Sequence, residues 1–286
     1  MKKQTIALIG SGKSGVILKT DISEDTFQQY KKLCKLLNEF QEFDGKLSIV
    51  SSSARELEAM IAERTAVRSE PLKPHKYEED LRHLNNASRK FLSDLRMYLD
   101  HAETRIIRTY GKESPQYLEF KKITSLEYDT HFEYRFCSQL RNAMHSNNPF
   151  ESMPESQQMI EGKLCCQTKI VFDPHSLLAK NNEWKSAIRK ELEAMDEFPA
   201  AGVFDIVMES LRRINSVIFI SERDVLYNYA VEIKGMVQEA LDRGLAPSMG
   251  LMSLNTKMYE EQTITMEQTP LKTLERLGVI KASFRG

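Results

Sequence analysis

The chain has 286 residues, enough for one large domain or two modest ones with a real hydrophobic core. Its 40 basic and 41 acidic residues nearly cancel, so no global positive field attracts nucleic acid, and such binding needs a local patch or an assembly of subunits. The longest apolar runs are far too short to cross a bilayer, and the apolar stretch near the N-terminus is too short for a signal peptide.

Residues 4–20 predict a β-hairpin of two apolar strands joined by a glycine-rich loop. The loop contains Gly12-Lys13-Ser14, the last three residues of a phosphate-binding loop, but Ala7 stands where that motif requires its first glycine. The residues after the loop resemble a returning strand, whereas a phosphate-binding loop is followed by a helix. A hairpin is therefore the favoured interpretation.

Two helices are predicted between this hairpin and Pro71. Ser23 can cap the first helix, whose apolar residues recur at helical spacing until Gly45 ends it. The second helix is predicted to begin after Ser53 and to run to about Val67.

The middle of the chain predicts a long helix followed by a short one. From Tyr77 to Tyr110 apolar residues recur at helical spacing, with no proline or glycine until Gly111. Ser114 and Pro115 then open the short helix, because proline is well placed at the first helical position.

Thr124 and Glu127 have the spacing of a capping box and predict the start of a further helix. This helix presents a stripe of core residues at i, i+4 spacing: Tyr128, Phe132, Phe136, Leu140 and Met144. Arg141 and His145 lie in the adjacent row, at the rim of the buried face. The segment Asn147–Pro149 ends the helix.

The C-terminal half predicts more helices and little β structure. Residues 159–172 are rich in apolar and β-branched residues and indicate a strand. Three helices follow it: Glu183–Met195, Val203–Ile218 and Arg223–Leu241. The tail predicts a strand at Met258–Met266 and a short helix at Leu271–Leu277.

The predicted fold class is therefore mainly α, a helical bundle with a small β element. That element comprises the N-terminal hairpin of residues 4–20 and the strand near residues 159–172. No repeat, linker or composition change marks an internal boundary, so a single domain over residues 1–286 is expected.

Cysteine and histidine positions indicate neither a disulfide framework nor a metal site. The four cysteines have no zinc-ligand spacing, and the adjacent pair Cys165-Cys166 is not a CxxC redox motif. Four histidines are scattered, with no nearby partner to complete a metal set: His75, His83, His101 and His175. Reduced thiols in a cytoplasm, and no metal or cofactor, are expected.

Tyr134–His145 is the most informative segment, because it places Arg141, Asn142 and His145 on one helix. Arg141 and His145 are four residues apart, so they are neighbours on one helical face. Cleavage of RNA without a metal needs a proton carrier with a near-neutral pKa, a cation for the phosphate charge and a group that orients either. These three residues match those roles. The alternative is an ordinary helix C-terminus, where the helix dipole favours Arg and His.

Phe132–His145, with its Leu-Arg-Asn…His pattern, resembles the motif helix of the HEPN family (higher eukaryotes and prokaryotes nucleotide-binding). It is more narrowly similar to bacterial proteins in which a Tyr-Arg-Phe segment precedes Leu-Arg-Asn, a nearby His and a proline, here Pro149. The specific similarity covers about residues 120–150. In the family four to six residues separate the Arg from the His; here three do, and Ser146 occupies the usual position of the His.

The resemblance implies a helical bundle that forms a homodimer and brings two motif helices to one cleft. It also implies a metal-independent endoribonuclease of a toxin or phage-defence system. In that enzyme His145 acts as the general acid and base, Arg141 binds the phosphate and Asn142 orients the reacting groups. The implied partners are RNA, a second copy of the chain and an antitoxin or defence protein. No membrane association is expected. Two alternatives stay open: a catalytically inactive HEPN-like interaction or nucleic-acid-sensing subunit, and a structural protein without a ligand. The near-neutral net charge slightly favours these two.

Overall fold

The structure is a computed structural model that describes residues 4–10, 16–20, 24–143, 148–181, 184–242, 250–256, 262–268 and 271–279. In chain order the helices are α1 (Glu24–Thr65), α2 (Pro74–Tyr110), α3 (Pro115–Thr130), α4 (Phe132–Ala143), α5 (Pro174–Lys180), α6 (Ser186–Glu193), α7 (Val203–Asp242) and α8 (Leu271–Arg276). The strands are β1 (Gln4–Gly10), β2 (Val16–Thr20), β3 (Glu155–Ile160), β4 (Lys163–Thr168), β5 (Val171–Phe172), β6 (Phe198–Pro199), β7 (Gly250–Thr256) and β8 (Gln262–Gln268). The mainly helical fold class with a small β element is confirmed.

The chain divides into two compact units, residues 45–218 and residues 1–44 together with 219–286. Helices α1 and α7 each continue without a break from one unit into the other. The single domain expected over residues 1–286 stays a prediction. Over the described ranges, no helix combines the length and the apolar character that a bilayer span needs.

The predicted N-terminal hairpin is confirmed within the unit that holds both chain ends. Strands β1 and β2 pair antiparallel, with Ile6 opposite Thr20 and Gly10 opposite Val16, so the chain returns as a strand and not as a helix. The loop residues 11–15, which carry the Gly-Lys-Ser of the phosphate-loop alternative, lie outside the described residues. The sheet continues through β7 to β8, in the order β2-β1-β7-β8. Sequence reasoning predicted a strand near β8 and missed β7, whose partner β1 is distant in the chain.

Helix α1 replaces the two helices predicted before Pro71. Gly45 does not end a helix; it lies exposed inside α1, with nothing within 4 Å of the place where a Cβ would be. Glycine inside a helix costs only about 1 kcal/mol relative to alanine, which burial of the apolar face outweighs. Ser53 likewise lies inside α1, where its hydroxyl donates to the Val50 carbonyl at 3.0 Å. The two helices predicted after residue 203 are also one continuous helix, α7.

The start of the motif helix differs from the prediction, while the helix before it begins as expected. Ser114 caps α3, which begins at Pro115. Thr124 does not start a helix; it lies inside α3, and its hydroxyl donates to the Phe120 carbonyl at 2.9 Å. Helix α4 begins only after His131.

The strand predicted over residues 159–172 is a hairpin followed by a short strand. Strands β3 and β4 pair antiparallel and are joined by a turn at Glu161 and Gly162, both with positive φ. Strand β5 pairs with β6. The helix predicted at Glu183–Met195 is the shorter α6, and it is preceded by α5, which sequence reasoning missed.

An aromatic cluster centred on Phe136 holds the first half of α4 in the core of residues 45–218. The Phe136 ring lies with its centroid 4.9 Å from that of Phe172, 5.0 Å from that of Phe198 and 6.0 Å from that of Trp184. Aromatic pairs at these separations are stabilising beyond the area they bury. The predicted core stripe is confirmed at Phe136 and Leu140, which are fully buried, while Met144 lies outside the described residues.

Candidate functional site

The three residues of the predicted site lie at and beyond the end of α4. Arg141 is in the last turn of the helix and is half-buried. Asn142 belongs to the same turn, but its side chain and all of His145 lie outside the described residues. The expected pairing of Arg141 with His145 therefore stays a prediction.

The Arg141 guanidinium has no hydrogen bond or ion pair within the described part of the chain. Three other half-buried arginines each contact a carboxylate: Arg64 with Asp80 at 2.9 Å, Arg68 with Glu155 at 2.6 Å and Arg189 with Glu193 at 3.0 Å. A partly desolvated cation without a counterion is unfavourable. An anion bound at Arg141 would therefore be stabilised.

Arg135, six residues earlier on α4, is in the opposite situation. Its side chain is buried, and its Nε and Nη2 donate to the two carboxylate oxygens of Glu191 on α6, the first at 3.0 Å. Its Nη1 donates to the carbonyls of Tyr128 and Asp129 at the end of α3. The arginine of the Tyr-Arg-Phe segment thus joins three helices and has a structural role.

An open cleft of about 490 Å³ lies between α2, α3 and α4. We call it the α2–α4 cleft. Six charged side chains line it, three of each sign: Arg96, Lys121, Lys185, Asp100, Glu103 and Asp129. Its volume falls within the roughly 300–1,000 Å³ of small-molecule binding sites.

The charged residues of the cleft are unequally paired. Arg96 Nε donates to Asp100 Oδ2 at 2.9 Å, and Lys121 Nζ lies 3.4 Å from Glu103 Oε1. Lys185 has no carboxylate partner within the described ranges; its Nζ lies 5.3 Å from the centre of the Tyr128 ring, a cation–π contact. Lys185 and the terminal nitrogens of Arg96 are therefore available to a ligand.

Neutral groups complete the lining. Gln139 Nε2 donates to the Tyr128 hydroxyl at 3.2 Å, so that hydroxyl keeps its own proton for another acceptor. Burial raises the pKa of Tyr128 above its ordinary value, so the hydroxyl is protonated at neutral pH. The Ser138 hydroxyl donates to the Tyr134 carbonyl at 2.7 Å and retains its lone pairs as acceptors.

Arg141 lies one turn beyond the α2–α4 cleft on the same side of α4. Tyr134 and Ser138 line the cleft, and Arg141 follows them by seven and three residues. Residues at these spacings share a helical face. The rise of 1.5 Å per residue puts Arg141 roughly 4.5 Å along the axis from Ser138. A ligand longer than the cleft can therefore reach both.

A second charged cluster, which sequence reasoning missed, joins α3 to α7. Arg213 donates to both carboxylate oxygens of the buried Glu127, at 2.7 and 2.8 Å, and its Nη2 lies 3.0 Å from His131 Nε2. Burial by itself would raise the pKa of Glu127, but hydrogen bonds from Arg213 and Ser210 outweigh it and lower the pKa. Only the i, i+4 spacing of Glu127 and His131 was visible locally, since Arg213 is 86 residues away in sequence. Arg213 is occupied by these contacts, and the cluster is structural.

Metal ligands and reactive thiols do not converge in the described ranges. No group of three or more His, Cys, Asp or Glu side chains there can hold a metal ion. Cys34, Cys137 and Cys166 are buried free thiols, and Cys165 is half-buried. Burial raises the pKa of Cys137, so its thiol stays protonated.

Comparisons with protein family models, curated proteins and solved structures gave no match for this chain.

Proposed function

We propose that this chain is a metal-independent, HEPN-like endoribonuclease that acts as a homodimer in the cytoplasm, within a toxin or phage-defence system. Arg141 stabilises charge on the phosphate, His145 transfers protons and Asn142 orients the reacting groups. The observation that carries the proposal is the half-buried Arg141 guanidinium, which has no counterion in the described residues and lies one turn from an open polar cleft.

The proposed reaction is an internal transfer at the phosphodiester of RNA. The 2′-hydroxyl loses its proton to an imidazole, and its oxygen attacks the adjacent phosphorus. Negative charge grows on the phosphoryl oxygens, where the Arg141 guanidinium stabilises it. The 5′-oxygen of the next nucleotide leaves and takes up a proton from an imidazolium. The products are a 2′,3′-cyclic phosphate and a 5′-hydroxyl.

Dimerisation is part of the proposal because two copies supply two histidines, one for each proton transfer. It also brings basic side chains of the two copies together. This matters because the formal net charge of −1 gives the chain no overall attraction for RNA. The antitoxin or defence partner and the cytoplasmic location come with the HEPN-like interpretation and are proposed together with it.

The test uses the full-length purified chain, a fluorescent single-stranded RNA and EDTA. Arg141→Ala and His145→Ala are each expected to reduce the cleavage rate by roughly a hundred-fold or more, as expected for loss of a transition-state contact or of a proton carrier. Arg82→Ala is the matched control, because Arg82 is an exposed arginine of α2 outside the cleft. Cleavage that persists in either site variant, with unchanged thermal melting, contradicts the assignment.

The second candidate is a catalytically inactive HEPN-like interaction or nucleic-acid-sensing subunit. The observation that favours it is the spacing: three residues separate Arg141 from His145, and Ser146 occupies the position of the family histidine. Serine cannot replace imidazole as a proton carrier at neutral pH. This candidate predicts RNA binding that is weakened by Arg141→Ala, with no cleavage by any variant.

A further inference from the structure

The α2–α4 cleft continues the site proposed at Arg141. Its α4 wall is formed by Tyr134, Ser138 and Gln139, and Arg141 extends the side of α4 that carries Tyr134 and Ser138 by one turn. A single RNA strand that places a phosphate on Arg141 therefore brings a neighbouring nucleotide to the mouth of this cleft.

The free groups of the cleft match the parts of one nucleotide. The ammonium of Lys185 and the terminal nitrogens of Arg96 can bind a phosphate, since Arg96 uses only its Nε on Asp100. Asp129 can accept a hydrogen bond from a ribose hydroxyl or an exocyclic amine. The hydroxyl of Tyr128 donates and that of Ser138 accepts, which are the groups needed to read a base edge.

The balance of charge in the cleft argues for a ligand of modest charge. Asp100 and Glu103 are each engaged by a cation within the cleft, which leaves Lys185 opposed to Asp129. Such a lining suits one phosphodiester with its sugar and base better than a polyanion. Single-stranded RNA is the nucleic acid whose bases are free to enter such a cleft, because paired bases are stacked inside the duplex.

We infer that the α2–α4 cleft binds one unpaired ribonucleotide of the RNA substrate, next to the bond that is cut at Arg141. This rests on the proposed function. The cleft is then the part of the enzyme that selects the base beside the cleavage position, and Lys185 and Arg96 contribute to binding rather than to chemistry.

The first experiment measures binding alone, on the full-length chain. Calorimetry follows separate titrations with uridine 5′-monophosphate, adenosine 5′-monophosphate, ribose 5-phosphate and inorganic phosphate. Lys185→Ala and Arg96→Ala are expected to weaken binding of the better mononucleotide at least ten-fold, whereas Lys190→Ala, an exposed lysine of α6 outside the cleft, leaves it unchanged. Equal affinity for phosphate and mononucleotide overturns the inference.

The second experiment separates this inference from the proposed function. On single-stranded RNA, Lys185→Ala is expected to raise KM about ten-fold with little change in kcat and to alter the base preference beside the cut. If Lys185→Ala and Arg96→Ala cleave RNA with an unchanged KM and an unchanged base preference, the inference about the cleft is wrong and the proposed nuclease activity stands. If mononucleotide binding depends on Lys185 but no RNA is cleaved, the proposed nuclease activity is wrong and the cleft is a nucleotide-binding site. Thermal melting of each variant verifies that these exposed substitutions leave the fold intact.

Discussion

Two arginines of α4, Arg135 and Arg141, differ in what the fold requires of them. Arg135 is buried, and its hydrogen bonds go to Glu191 and to two backbone carbonyls of α3. Arg141 is half-buried and has no such partner in the described residues. The same residue type on one helix thus stabilises the fold at one position and is available to a ligand at the other. The presence of a carboxylate, and not burial alone, separates the two.

Removal of the paired arginine has the largest expected effect on stability. Arg135→Ala is expected to lower the free energy of unfolding by about 3 kcal/mol, because it leaves two carbonyls of α3 without their donor and Glu191 without its counterion. The low end of the range for buried pairs applies because the Glu191 side chain is 37% exposed. Urea unfolding measures the change. Arg141→Ala is the matched control on the same helix, and an equal loss there removes the distinction between the two arginines.

Arg213 is another arginine with a carboxylate partner, Glu127. Glu127→Gln is expected to cost about 2 kcal/mol at pH 7, since Arg213 loses a bidentate carboxylate in a buried position. The folded chain lowers the pKa of Glu127, so the stabilisation is present above the unfolded pKa, about 4.3, and is lost as the pH falls through the folded pKa. Unfolding free energies measured from pH 7 down to pH 2 therefore fall less steeply in the variant. Parallel curves for the two proteins contradict the role given to Glu127.

A conservative substitution of Arg141 tests how this unpaired arginine contacts the phosphate. Arg141→Lys keeps the positive charge but loses the planar fork that contacts two phosphate oxygens. Cleavage of single-stranded RNA is expected to fall about ten-fold, the loss of roughly 1.4 kcal/mol for one charge-assisted hydrogen bond. Arg141→Ala falls much further. If lysine and alanine give the same rate, the charge of Arg141 does not act on the phosphate.

The sequence predicted the elements that local chemistry determines. Ser114 and Pro115 at the start of α3, and Gly111 after α2, are local signals, and the structure agrees with them. The hairpin of residues 4–20 was visible for the same reason. The capping box at Thr124 failed because α3 already begins at Pro115, so Thr124 lies inside the helix, and Glu127 accepts hydrogen bonds from the distant Arg213 instead of capping a helix start.

The site could be predicted only in part, because its partners come from distant segments. Arg141 stood out in the motif, but nothing in the motif indicated that Arg135 would be paired with Glu191, 56 residues later. The α2–α4 cleft has walls from three helices and Lys185, which no single window of sequence contains. The Glu127–Arg213 pair spans 86 residues and escaped for the same reason. The spacing of residues along a helix shows which of them share a face. Ion pairs between helices can be identified only once the three-dimensional fold is known.

Gly45 and Gly111 differ in what the backbone requires of them, and substitutions there have the smallest expected effects. Gly111 has φ +88°, a backbone conformation that only glycine adopts easily, and its N–H donates to the Ile107 carbonyl at the end of α2. Gly45 lies exposed inside α1 with open space around it. Gly45→Ala is therefore expected to raise the free energy of unfolding by about 0.5–1 kcal/mol, while Gly111→Ala lowers it by about 1 kcal/mol or more. Urea unfolding of both variants measures the two changes, and a loss of stability in Gly45→Ala would show that α1 needs the glycine, contrary to the unbroken helix seen here.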